Sequence, residues 1–244
     1  MRAPRSAGSD TATSGRADQH SADEVGCGGP TRIVVRPVGT PLPLGFLGLC
    51  VATFAFAGLQ LGWVPAQQGH LIAWAVLGLT VPAQLLASVV GFMARDSVAG
   101  TGMAVLSGTW AAVTLVTLNL PPGGDSDALG VVLLASAAAL LVPAVAALDK
   151  PVAAAVMMLS ALRFTVTALA YLTGSHAWQT AAGWVGLLLA VVSLYAALAF
   201  ELEGVRHRAV LPLARRGNAA SAVSGNPFEQ FGDLSQEPGV RRQL

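Results

Sequence analysis

Residues 128–148 read ALGVVLLASAAALLVPAVAAL and are followed at once by the charged turn Asp149-Lys150-Pro151. The stretch carries no charged side chain. Its length matches the about 20 residues that an α-helix needs to cross a hydrocarbon core about 30 Å thick. A surface helix of a soluble protein would keep one polar face, which is missing here. The stretch therefore predicts a transmembrane helix.

Five further apolar segments lie on either side of it. The predicted spans are residues 42–63, 71–93, 99–120, 128–148, 151–173 and 177–202. The breaks between them contain Pro, Gly, Asp and Ser, which form turns. The alternating segments of about ten residues that mark membrane strands are absent. The predicted fold class is an all-α integral membrane protein with a bundle of six transmembrane helices.

Composition supports the same class. Hydrophobic residues make up 54% of the chain and charged residues only 11%, against about 25% charged in a typical soluble domain. The net charge is +1 and no dense basic block is present, so we expect no nucleic-acid partner. Residues 1–39 and 214–244 are polar and are predicted to be disordered tails of a membrane domain at residues 40–213.

Basic residues predict the orientation. The first, third and fifth connections have no Lys or Arg, whereas the second contains Arg95 and the fourth contains Lys150. The remaining basic residues, apart from Arg163, lie in or next to the two tails. Because cytoplasmic loops carry the excess of Lys and Arg, both termini are predicted to be cytoplasmic in a multi-pass plasma-membrane protein.

Small and kink-forming residues within the spans indicate close packing. Small side chains let helix backbones approach one another in lipid. Pro82 and Pro143 are expected inside their helices, since membrane bundles tolerate proline there. Helix contacts are expected at Gly45, Gly48, Gly100, Gly102, Gly183 and Gly186.

Polar side chains inside the spans raise the question of function. Most are Ser and Thr, whose hydroxyls can bond to the carbonyl one turn back along the same helix. Gln84 differs, because an amide near the middle of the membrane needs a partner on another helix or water. It either lines a pore or joins two helices.

Arg163 is the one basic residue within a span. It follows the start of the fifth span by about 18 Å of helix, close to the membrane midplane, where an arginine costs about 3 kcal/mol or more. The carboxylates of the membrane domain all fall at the span ends. Arg163 therefore either faces a water-filled path that favours anions or is satisfied by carbonyls such as those freed near Pro143.

Enzymatic chemistry has no support in the sequence. There is no His-x-x-x-His or Cys-x-x-Cys pair, no carboxylate pair within the spans, and no base in the same layer as a serine. Cys27 lies in a polar tail and Cys50 in a span, so neither a disulfide nor a metal site is expected. We predict no catalytic residues, no metal and no cofactor.

Three motifs resemble those of a known family. They are Thr40-Pro41-Leu42-Pro43-Leu44-Gly45-Phe46, Ala83-Gln84 followed by Ala87, and Ala182-Gly183-Trp184-Val185-Gly186. The first resembles the Asn-Pro-Ala-Pro-Leu-Gly-Leu opening of the YaaH-type acetate/succinate permease family, and the others are similar to its second and last spans. The chain departs from that pattern at Thr40, which replaces Asn, and at Gly91, which replaces Glu. Of the family's aromatic cluster in the third span, Trp110 remains.

The resemblance implies a six-helix protomer that moves acetate and related small carboxylates through the lipid bilayer, within a homo-hexamer. It implies that Leu49 narrows the pore, that Gln84 is a buried amide in it, and that the family's pore tyrosine maps near Ser107. With Thr53 and Arg163, these residues form the predicted substrate pathway.

A second class of function remains open at this stage. The protein is either a transporter or channel for small carboxylates, which the motifs and Arg163 favour, or a non-transporting sensor or scaffold. The tail segment Asn226–Phe231 suits the second, because aromatic residues in disordered tails often dock partners. No titratable His, Asp or Glu occupies the middle of a span, which favours a channel or facilitator over a symporter with a proton-carrying side chain.

The orientation is testable by thiol labelling. After replacement of Cys27 and Cys50, single cysteines are introduced at Ser126 in the third connection and Ser221 in the C-terminal tail. In intact cells an impermeant thiol reagent is expected to label position 126 and to spare position 221 until the cells are lysed. Labelling at position 221 without lysis would contradict the assignment.

Overall fold

The computed structural model describes residues 39–206 and 210–214. The predicted tails, with Cys27, Ser221 and the segment Asn226–Phe231, lie outside these residues apart from their innermost positions. A one-turn 3-10 helix, Ala66–Gln68, precedes the second of six α-helices, which are α1 Leu42–Gln60, α2 Gly69–Met93, α3 Ser97–Asn119, α4 Asp127–Ala146, α5 Pro151–Thr173 and α6 His176–Arg206. All six are long and apolar enough to cross a membrane. The predicted all-α, multi-pass membrane fold is confirmed.

The helix ends differ from the predicted spans by up to four residues, and local interactions explain the differences. α1 stops at Gln60 because Gly62 adopts a φ of +74°, and the N–H of Trp63 turns back to the Gly58 carbonyl at 2.9 Å. α3 begins earlier than predicted because the Asp96 carboxylate accepts the N–H of Ala99 at 3.1 Å. α6 continues to Arg206, because the charged residues that follow its apolar stretch remain helical.

The six helices are arranged as a ring. Each helix packs against the next in the chain, and α6 packs against α1, which closes the ring. Packing is most extensive within three pairs, α2 with α3, α4 with α5, and α1 with α6. The helices continue through Pro82 and Pro143, as predicted. We call the end of the bundle with Thr40 and Arg206 the tail end and the other the vestibule end.

Glycines mark the closest helix contacts, as the sequence predicts. A Cβ on Gly91 would lie 2.7 Å from the backbone nitrogen of Gly100, so α2 and α3 meet backbone to backbone. A Cβ on Gly102 would lie 2.7 Å from the Met157 Cε, and one on Gly183 would lie 2.6 Å from the Leu61 Cγ. These contacts leave no space for larger side chains, and Gly91 in particular has no room for the glutamate of the resembling family.

The outer surface of the ring is apolar. Its exposed side chains include Trp74, Leu79, Leu85, Val131, Val142, Trp184, Leu188 and Val191. A continuous apolar exterior of this extent fits lipid better than water. At the tail end, the Lys150 Nζ lies 2.7 Å from the Asp96 Oδ2 and joins the second and fourth connections.

Substituting Gly91 by alanine is expected to destabilise the protein by about 1–3 kcal/mol, because the added methyl group must push α2 and α3 apart. Gly78 on the same helix provides the control, since a Cβ there meets nothing within 4 Å. Gly78→Ala is expected to be neutral or to stabilise by up to about 1 kcal/mol. Thermal unfolding in detergent compares the two variants, and equal melting temperatures would contradict the backbone contact.

Candidate functional site

A polar cavity opens at the vestibule end of the ring. It has a volume of about 190 Å³ and lies between the first, third and fifth connections; we call it the vestibule. His70 helps to shape it, because its Nε2 lies 3.0 Å from the Leu120 carbonyl and ties the start of α2 to the end of α3. The polar side chains that line the vestibule are Gln60, His70, Thr117, Asp125, Tyr171, Ser175 and Gln179.

A second, smaller cavity is lined in part by the same side chains. This inner cavity has a volume of about 20 Å³ and is lined by residues of α1, α3, α4 and α5. Phe56, Gln60 and Tyr171 line both cavities, so the two cavities are adjacent. Since about 10–15 Å³ is needed to hold one water molecule, the inner cavity has room for a single occupant of that size.

Arg163 lines the inner cavity and is 2% exposed. Its Nη2 donates to the Gln60 Oε1 at 2.5 Å, and its Nη1 donates to the Thr167 Oγ1 at 2.5 Å. The Thr167 hydroxyl donates its own proton to the Arg163 carbonyl at 2.7 Å, which turns an oxygen lone pair toward the guanidinium. Among the described residues, the guanidinium thus donates to two neutral side chains, and neither acceptor is a carbonyl freed by Pro143.

Gly186 of α6 makes the space for this guanidinium. A Cβ at position 186 would lie 2.8 Å from the Arg163 Nε and 3.2 Å from its Cζ. Any side chain there would displace the arginine. The last motif of the sequence, residues 182–186, therefore ends on the residue that admits Arg163 between α5 and α6.

Two buried N–H donors in this region have no hydrogen-bond partner among the described residues: the Arg163 Nε and the Trp110 Nε1. Leaving a buried donor unsatisfied costs about 1–3 kcal/mol, and more for a charged group. Within residues 39–206 and 210–214 no carboxylate forms an ion pair with Arg163, whereas Lys150 pairs with Asp96. Both donors belong to side chains that line the inner cavity.

An aromatic layer surrounds the inner cavity. The Phe56 and Trp110 ring centroids are 5.5 Å apart, and those of Trp110 and Phe164 are 5.8 Å apart with an edge-to-face arrangement. The three rings come from α1, α3 and α5. The sequence singled out Trp110 alone, because its partners lie about fifty residues away on either side.

The predicted pathway residues fall into two groups. The Gln84 Nε2 donates to the Gly45 carbonyl at 3.4 Å, four residues into α1 from Pro41, whereas Arg163 binds Gln60 at the other end of α1. The two attachment points are fifteen residues apart on α1, about 22 Å. Gln84 and Leu49 are fully buried, and the Gln84 Oε1 has no partner among the described residues.

Thr53 and Ser107 are both engaged with backbone carbonyls. The Thr53 hydroxyl donates to Leu49 of its own helix at 2.9 Å, as expected for most span hydroxyls. Ser107 instead donates across to Val81 of α2 at 2.9 Å. Thr80 and Ser88 also bond to neighbouring helices, through the Gly48 and Gly100 carbonyls. The expectation of local bonds therefore fails at these three positions, where the acceptor is the carbonyl of a glycine, Gly48 or Gly100, or of Val81, the residue before Pro82.

Most of the motif residues lie at a helix start or at a contact between helices. Pro41 and Pro43 stand at the start of α1, and Gly45 and Gly183 make room for Met103 and Leu61. By contrast, Leu44 and Trp184 face outward, with 41% and 62% of their surfaces exposed.

Sequence reasoning missed Gln60 and Phe56 as site residues. A signal for them was present, because Leu49, Thr53, Phe56 and Gln60 follow helical spacing and share one face of α1. That face points to the ring interior, as the lining of the inner cavity shows.

The closed ring with a polar vestibule at one end defines a multi-pass helical membrane protein with an internal site. Comparison with protein-family profiles and with curated proteins finds no match. Among solved structures, that of the bacterial acetate channel SatP is similar to this chain, with a TM-score of 0.66 and 21% sequence identity. The match covers 72% of this chain and 99% of the SatP chain. At this level of identity the likeness establishes the shared fold.

Proposed function

We propose that this protein is a membrane channel or facilitator for acetate and related small carboxylates, of the acetate/succinate permease type. The observation that carries the proposal is Arg163, a buried guanidinium without a carboxylate partner among the described residues, just beyond the floor of a polar vestibule. The likeness to an acetate channel and the sequence motifs support it.

Gln60 holds the guanidinium when no substrate is present. Its amide oxygen accepts from the Arg163 Nη2, and its side chain lines both cavities. A carboxylate that enters from the vestibule meets Gln60 first and takes its place as acceptor, because charged acceptors bind a guanidinium more strongly than neutral ones. Thr167 keeps the other side of the guanidinium in position during the exchange.

Beyond Arg163, toward the tail end, the interior is filled in part by large apolar side chains. Leu49, Met103 and Leu106 are fully buried there, and Gln84 supplies an amide with an unpartnered oxygen. A small carboxylate with a short alkyl group suits this section better than a dicarboxylate, which would carry a second charge past these side chains.

Replacing Arg163 tests the proposal. At about 4 Å and an effective dielectric of about 20, the attraction between opposite charges is about 4 kcal/mol, and a third of that energy is a tenfold effect. Arg163→Gln is therefore expected to lower acetate flux into liposomes by about tenfold or more, and Arg163→Lys to retain part of it because the charge remains. Flux is normalised to folded protein.

Gln60→Glu provides a second, matched test. It keeps the size of the side chain and supplies a permanent carboxylate to Arg163. This variant is expected to fold at least as stably as the parent and to lose flux. Normal flux per folded protein in both Arg163→Gln and Gln60→Glu would show that the arginine is structural.

We also propose that the protein assembles as a homo-hexamer in the plasma membrane. The contact glycines are used within the protomer, so support comes from the resemblance, from the outward-facing Leu44 and Trp184, and from Gly108, whose Cβ position is open. Native mass measurement in mild detergent is expected to give six copies. A monomer under every detergent condition would contradict the assembly.

A further inference from the structure

The lining of the vestibule contains one carboxylate, Asp125, and no Lys or Arg. Among the described residues, Arg163 lies next to the vestibule in the inner cavity, and the other basic side chains lie in the second and fourth connections or at the end of α6, all at the tail end. An anion that enters from the vestibule therefore meets a negative charge before it reaches the guanidinium. This order is the reverse of what attraction of anions alone would require.

The position of Asp125 is not explained by stability. Its side chain is exposed and forms no hydrogen bond or ion pair with another described residue. Its Oδ2 lies 3.8 Å from the position of a Cβ on Gly174, the C-cap of α5, where the helix dipole disfavours a negative charge. Asp127, two residues later, lies in the first turn of α4, where a carboxylate is favourable. The two neighbouring carboxylates thus differ in kind.

The vestibule is small enough for the charge of Asp125 to act throughout it. A sphere of about 190 Å³ is about 7 Å across, which is less than the Debye length of about 8 Å at physiological salt. At about 6 Å in water, one negative charge lowers the local concentration of a monovalent anion about threefold and that of a divalent anion about tenfold. An uncharged acid is not affected.

We infer that Asp125 makes the vestibule select against dianions, so that monocarboxylates enter in preference to dicarboxylates. The inference rests on the proposed function and names a residue that determines its substrate class. Asp125 acts at entry, whereas the large apolar side chains toward the tail end act later on the route. Because its charge changes the concentration of substrate in the vestibule, it alters the KM of transport and leaves the maximal flux unchanged.

The charge of the vestibule is measurable without transport. Ser175 lines the vestibule and is replaced by Cys in the full chain after removal of Cys27 and Cys50. The protein in lipid nanodiscs is kept at pH 8, where histidine side chains are in general neutral. Two methanethiosulfonates of similar size, one with a trimethylammonium and one with a sulfonate group, then react with the thiol. The ratio of the two rates cancels changes in the reactivity of the thiol itself.

Asp125→Asn is expected to lower the ratio of the cationic to the anionic rate about tenfold at about 0.01 M salt, because loss of the charge changes each rate about threefold in opposite directions. Asp125→Glu keeps the charge and is expected to keep the ratio. Asp127→Asn is the matched control, since it removes the same charge outside the vestibule lining, and is expected to change the ratio less. At 1 M salt all four ratios are expected to agree.

Flux into liposomes tests the consequence for substrates. Below KM, at pH 8 and about 0.01 M salt, Asp125→Asn is expected to raise succinate flux about tenfold and acetate flux about threefold, so the succinate-to-acetate ratio rises about threefold. Asp127→Asn is expected to leave this ratio close to that of the parent. Thermal unfolding checks that both variants fold as the parent does.

The outcomes separate this inference from the transport proposal. Equal labelling ratios in the parent and Asp125→Asn would overturn the inference. Normal acetate flux with an unchanged succinate-to-acetate ratio in Asp125→Asn would also overturn it and leave the transport proposal standing. An Asp125-dependent labelling ratio in a parent that carries no acetate would support the exclusion of anions from the vestibule by charge and refute the transport proposal.

Discussion

Hydrocarbon offers no hydrogen-bond partner, and the arrangement of this protein follows from that constraint. The backbone meets it by forming six helices in which the carbonyls and N–H groups satisfy one another. Pro82 lacks the N–H that would bond to the Gly78 carbonyl one turn back in α2. Nearby, the Val81 carbonyl accepts the hydroxyl of Ser107 from α3. Polar side chains meet the same constraint one by one, and Arg163 is the most demanding of them. Its position fixes Gln60, Thr167 and Gly186 around it.

The two ends of the ring differ in structure. At the vestibule end the connections form a wide polar cavity, which lets water approach the middle of the bundle. At the tail end, the ion pair of Asp96 with Lys150 joins two connections over a closely packed interior. A charge in the middle of the bundle is thus near water from one side, which lowers the cost of burying it.

The sequence predicts the fold well and the site only in part. Apolar length determines the number of helices, and Pro82, Pro143 and the contact glycines behave as their chemistry requires. Arg163 can be recognised in the sequence because it is a charged residue within an apolar span. Its partner Gln60 is 103 positions away, and only the closing of the ring, in which α6 packs against both α1 and α5, puts the two together. The same limit applies to Thr80 and Ser88, because the sequence does not indicate whether a hydroxyl donates to a carbonyl of its own helix or of a neighbouring helix.

The unequal packing around the ring has a mechanical consequence. α2 with α3, α4 with α5, and α1 with α6 form three bodies, defined by packing that is more extensive within each pair than at the three seams between them. Sliding along a seam separates less buried surface than parting a pair. Arg163 belongs to the body formed by α4 and α5, and Gln60 belongs to the body formed by α1 and α6. Their hydrogen bond therefore links two bodies across one seam. A ligand that replaces this bond weakens the contact between the two bodies and does not only release one side chain.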